Sequence, residues 1–228
     1  WGMGIAGMAL LLRTLGLGRA ARAFGICTIA GLSWTQHRAL GGDLPELHYL
    51  ATPALLALVL RARRSRGARV GAALLLAGVA SVAAYRVVLV AAVPAIWLGV
   101  EAILGRRWRE GGSGEGPLPG RLALLREGLG SLGATAGLAV LLAAPRLLVS
   151  MPVVLGSRRW GHRWAQDFQH PFTMLEYTLR PPTAPGLEHS WNHHVGPFVL
   201  ALALLGALRW RRAAPAIVLA ALSIWFAG

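Results

Sequence analysis

Runs of apolar residues alternate with short arginine clusters from one end of this chain to the other, and that alternation restricts the fold more than any single motif. Gly2–Leu12 is followed by Arg13, Arg19 and Arg22; Tyr49–Leu60 closes on Arg61, Arg63, Arg64, Arg66 and Arg69. Val70–Leu104 gives way to Arg106, Arg107 and Arg109, and Arg209, Arg211 and Arg212 separate Pro197–Leu208 from Ala213–Phe226. A soluble domain has about 25% charged residues. This chain has 14%, with 55% hydrophobic residues and a mean hydropathy of +0.54. The composition predicts an integral membrane protein in contact with membrane lipid. The net charge of +14 does not predict a nucleic-acid partner, because the positive residues are dispersed between apolar runs as membrane topology requires.

A helix crossing a bilayer needs about 20 residues, and shorter runs fit as tilted or partly re-entrant segments. Gly2–Leu12, Ala23–Trp34 and Tyr49–Leu60 are the first three runs. Val70–Leu104 exceeds one span, and Tyr85-Arg86 near its middle predicts two helices joined as a hairpin. Glu110–Gly120 is rich in glycine and proline and reads as a flexible loop. Leu122–Gly130 has amphipathic spacing suited to the interface, and Ser131–Val149 is the next span, interrupted by Pro145-Arg146. With Pro197–Leu208 and Ala213–Phe226, the expected fold is an all-α polytopic transmembrane helix bundle of about eight segments. It forms a single transmembrane domain over 1–228, with extracytoplasmic loops at 35–48 and 157–194. The chain starts at Trp1, not Met, and stops directly after an apolar run, so it is expected to be a piece of something longer. Its one cysteine, Cys27, leaves no intrachain disulfide to form.

Short cytoplasmic loops are enriched in positive charge. Taking alternate connections as cytoplasmic puts sixteen of the 23 basic residues, all arginine, on that side. The same alternation gathers all seven histidines on the other side with Asp43, Glu46, Asp167, Glu176 and Glu188. The working face is therefore expected to be extracytoplasmic, in a bacterial inner membrane.

Three constellations on that face could carry chemistry. His189-x-x-x-His193-His194 puts two imidazoles on one face of a helix, a spacing that suits a divalent metal ion, although loop or headgroup histidines fit the same residues. Asp43, Glu46 and His48 could hold a cation or supply a general base, while Gly41-Gly42-Asp43-Leu44-Pro45 is also an ordinary turn. Arg146, Arg158 and Arg159 could grip a phosphate with guanidinium forks, or snorkel to headgroups. Neither a phosphate-binding P-loop nor a Gly-x-Ser-x-Gly motif is present.

The loop Gly41–His48, the span closing in Leu60-Arg61-Ala62-Arg63-Arg64, the segment Leu141–Arg159 and the run from His189 through His193-His194-Val195-Gly196-Pro197 resemble, in that order, bacterial GT-C-type integral-membrane glycosyltransferases and their YfhO-like relatives. The resemblance covers roughly residues 20–228. It implies transfer of a sugar from a polyprenyl-phosphate donor at the outer membrane face, with an acidic residue of an early outer loop as base or metal ligand. On that resemblance the N-terminal catalytic loop is expected to lie before residue 1, and Asp43 is the substitute within the chain. The donor and acceptor would be bound by Arg146, Arg158, Arg159, His48 and Glu188, with His189 and His193 as candidate metal ligands. The alternative is a non-catalytic scaffold or assembly subunit, with the long outer loop docking a membrane-protein partner.

Overall fold

Each described part of the apolar runs is helical, and no strand occurs among the described residues. The computed structural model describes residues 2–30, 50–82, 87–104, 120–156, 201, 203–205, 208 and 210–227. The chain divides into two compact units, one of residues 1–30 with 45–147, the other of residues 31–44 with 148–228.

Helix α1 is Gly2–Thr14, and Gly4, Gly7, Leu11 and Thr14 recur at helical spacing to form its buried face. It ends in a Schellman turn: the Leu17 amide donates to the Leu12 carbonyl at 3.0 Å and Gly16 donates to Arg13 at 3.0 Å. Gly16 takes a φ of 68°, which a residue with a Cβ adopts only under strain. The chain turns there into α2, Arg19–Ala30, whose Gly25 faces Leu12.

Helix α3, Thr52–Ala62, opens with Pro53 in its first turn, where the missing amide costs nothing. It buries Leu55, Leu56, Ala57, Val59 and Ala62 and packs against α1 as well as α4, Arg66–Val82, and α5, Val87–Leu104. Ser65 ends α3 and starts α4, its Oγ accepting from the Ala68 amide at 3.3 Å as an N-cap. The expected hairpin in Val70–Leu104 is thus present as α4 and α5, which flank Tyr85-Arg86. The core of this unit joins Leu55 and Val59 of α3, Ala72, Leu76 and Val79 of α4, and Val90 and Leu98 of α5.

Helix α6 differs from expectation. Leu122–Gly130 and Ser131–Val149 are not two segments but parts of one 36-residue helix, Arg121–Gly156. At 1.5 Å per residue it is about 54 Å long. Pro145 lacks only the amide that would bond to Leu141, so it perturbs the helix without ending it. Leu124, Gly128, Ser131, Thr135, Ala139 and Ala143 form its buried stripe, with Gly128 lying against Leu98 of α5. Most of the rest is exposed, including Leu122, Leu129, Val140 and Leu141. In the second unit, α7 is Trp210–Ala227, and it continues through Pro215.

Among the described residues one helix, over Arg121–Val149, is long and apolar enough to cross a membrane by length and composition. The stretch Gly128–Pro145 within it is free of charge and spans about 27 Å, close to the hydrocarbon thickness of a bilayer.

Chain direction in the first unit follows from its contacts. Gly4 lies on Leu50 and Gly7 on Ala54, so α1 and α3 run in parallel. The turn at 63–65 reverses the chain into α4, α5 returns to bring Glu101 beside Arg63, and α6 leaves along α5. The ends of α1, α3 and α5 and the starts of α2, α4 and α6 therefore share one end of the unit. Ten arginines lie there: 13, 19, 22, 61, 63, 64, 66, 69, 121 and 126.

Candidate functional site

A carboxylate within apolar helices needs a partner, and Glu101 has two. Arg63 Nη2 donates to Glu101 Oε2 at 2.6 Å, and Trp97 Nε1, one turn earlier on α5, donates to Oε1 at 3.2 Å. The Arg63 and Glu101 side chains are 4% and 3% exposed. Arg63 is the C-cap of α3, where a cation is also favoured by the helix dipole. Glu101 lies in the last turn of α5, where the dipole disfavours an anion, so the guanidinium offsets both desolvation and the dipole. With both carboxylate oxygens occupied, the group clasps α5 to the end of α3.

Arg69, in the first turn of α4, reaches back over the turn and donates through Nη2 to the Ala62 carbonyl at 3.2 Å. The Nε–H groups of Arg63 and Arg69 are both buried without an acceptor. A cluster of basic side chains with spare donors suits an anion better than a cation or a proton-transfer reaction.

Of the residues expected from the sequence to form a site, Arg146 alone is described. It is exposed on α6 and has an interaction partner. It lies near the end of the apolar stretch Arg121–Val149, beyond the charge-free residues Gly128–Pro145, and the helix runs on past it to Gly156. Asp43, His48, Arg158, Arg159, Glu188, His189 and His193 lie outside the described residues, as do the loops 35–48 and 157–194. Among the described residues no three of His, Cys, Asp and Glu come together as a metal site.

The clasp has only a faint signature in the sequence, because Arg63 stands among four other arginines and Glu101 inside an otherwise apolar run. The available signal was that Glu101 is the sole acidic residue between Glu46 and Glu110, with Trp97 one turn before it. Comparison with family models, curated proteins and solved structures finds no match to this chain.

Proposed function

We propose that this chain is a polytopic integral membrane protein of a bacterial inner membrane, with the arginine-rich end of its first unit in the cytoplasm. One observation carries this reading: large apolar side chains cover the outside of that unit as well as filling its core. Ala51, Ala57, Ala72, Ala73 and Ala139 lie inside with Leu55, Val59, Leu76 and Val90 and an ion pair, while Leu74, Val88, Ile103, Leu122 and Leu141 are outside. Small residues between helices and large apolar ones outside are the arrangement that lipid favours. Helices α1 and α3, with 13 and 11 residues, are short for a bilayer and fit this reading as tilted or partly re-entrant segments. In a Cys27→Ser background, Arg13→Cys, Arg64→Cys and Arg121→Cys should all react with an impermeant maleimide from the cytoplasmic side alone. Labelling of any one of them from outside would refute the orientation.

On the opposite face the proposed activity is glycosyl transfer from a polyprenyl-phosphate donor, and the resemblance of the 41–48, 141–159 and 189–197 segments supports it. Asp43 would take the proton of the acceptor hydroxyl as that oxygen attacks the sugar's anomeric carbon. The anomeric carbon–oxygen bond breaks and polyprenyl phosphate leaves, its charge held by Arg146, Arg158 and Arg159. Asp43→Asn should lower donor turnover at least about 100-fold with folding unchanged. A scaffold would keep its behaviour with Asp43→Asn and lose a membrane-protein partner when the 157–194 loop is altered.

A further inference from the structure

The first three turns of α6 expose apolar and basic side chains together on one side. Leu124, Gly128 and Ser131 are buried against the unit, while Leu122, Leu125 and Leu129 on the outward side are 79%, 41% and 60% exposed. Arg121 and Arg126 are exposed as well. At about 3.6 residues per turn the three leucines fall on one arc, with Arg121 at one border of it and Arg126 at the other. The amphipathic spacing of Leu122–Gly130 therefore belongs to an outward strip of the longer helix.

Depth along the helix separates this strip from a purely lipid-facing one. The charge-free stretch begins at Gly128, and Arg126 and Arg121 stand about 3 Å and about 10 Å before it along the axis. The headgroup layer on one side of a bilayer is about 5–8 Å thick, and a guanidinium on its flexible stem reaches along the helix. Both charges are thus within reach of lipid phosphate. Leu122 and Leu125 are at the same level, where water alone would leave their apolar surface uncovered. Glu127, the one acidic residue of α6, is half-buried, engaged in an interaction of its own and across the helix from the leucines.

We propose, on the membrane orientation given above, that this strip holds an anionic phospholipid of the adjacent leaflet, its phosphate between Arg121 and Arg126 and its glycerol and upper acyl chains over Leu122, Leu125 and Leu129. Guanidinium forks match phosphate oxygens. A zwitterionic lipid offsets its phosphate with its own ammonium group, whereas an anionic one leaves that charge for the protein to meet. An acidic segment of a soluble partner would pair with the arginines but leave the leucines wet; a lipid covers both kinds of residue at once. Each arginine near an anionic membrane surface contributes about fivefold in affinity.

The test uses the full chain in nanodiscs of equal parts phosphatidylglycerol and phosphatidylcholine, with native mass spectrometry identifying the lipids that stay bound. The parent chain should retain phosphatidylglycerol over phosphatidylcholine, and equal retention would overturn the proposal without recourse to a variant. Arg121→Gln with Arg126→Gln should lower the preference at least about fivefold. Arg13→Gln with Arg64→Gln, an equal charge change at the same end, should lower it less than about twofold. Equal effects of the two pairs would overturn the strip in favour of general charge. Leu122→Ser with Leu125→Ser should release the bound phosphatidylglycerol although both arginines remain, and undiminished retention there would also overturn it. A dimer of the parent chain that the same serine pair disperses would give this face to a second copy, against the proposal. Alkaline carbonate extraction of native membranes tells failure of the strip from failure of the membrane reading. A chain washed out by carbonate refutes both; one that stays embedded and shows no lipid preference overturns the strip alone.

Discussion

Glu101→Leu should destabilise the first unit by about 3–5 kcal/mol, because it leaves the Arg63 guanidinium buried with its counter-charge gone. The loss does not measure what the pair contributes. Two charges brought out of water cost nearly as much as their attraction returns, so a buried pair replaced by apolar residues is often as stable as the original. Arg63→Met combined with Glu101→Leu should therefore recover most of what Glu101→Leu loses, the hydrogen bond from Trp97 Nε1 to Glu101 being lost in both. Reversible unfolding in detergent gives both values. A double variant no more stable than Glu101→Leu would mean that Arg63 and Glu101 act separately, and the clasp would not exist as a unit.

Gly7→Leu should have the second large effect, releasing α1 from α3. Even the first carbon of a side chain at this position would lie 2.8 Å from Ala54 Cβ and 2.9 Å from Ala54 N, and a backbone atom of a central helix cannot rotate away. Overpacking of this kind costs about 1–3 kcal/mol for added methylenes, and an entire isobutyl group is at the upper end or beyond. Gly4→Ala provides the contrast: its Cβ meets Leu50 Cδ2 at 2.9 Å, the far end of a side chain, and should cost less. Gly78→Ala, in open space on α4, should stabilise by up to about 1 kcal/mol through helix propensity alone. Thermal unfolding of the three variants should rank them in that order. Gly7→Leu as stable as the parent chain would show that α1 and α3 do not pack through these glycines.

Helices are legible in the sequence because each apolar run is long enough for several helical turns and is bounded by arginines, and Tyr85-Arg86 marks the break between α4 and α5. The unity of α6 was not legible. Arg126-Glu127 and Pro145-Arg146 look like boundaries, but a charge pair can stand on an exposed helix face and a proline removes one hydrogen bond, so neither stops a helix whose other bonds are intact. The clasp was hidden for a different reason. Arg63 and Glu101 are 38 residues apart, and no periodicity links positions on α3 and α5 that meet only in the folded chain. A compositional count treats the arginines of 61–69 as one cluster, whereas in the structure Arg63 is inside and Arg64 and Arg66 are exposed. Of the candidate catalytic and binding residues, Arg146 alone is described, exposed on α6; Asp43, His48, His189 and His193 lie outside the described residues.

The gathering of ten arginines at one end also has an electrical consequence. With Glu101 and Glu127 the acidic residues described there, that end has a net charge of about eight. Moving one charge across a membrane potential of 100 mV takes about 2.3 kcal/mol, so carrying this end to the positive side of an energised membrane would take roughly 18 kcal/mol before any cost of desolvation. On the topology proposed above, the potential that drives transport in a living cell would help hold the protein upright, and a cell that lost its potential would lose that part of the restraint.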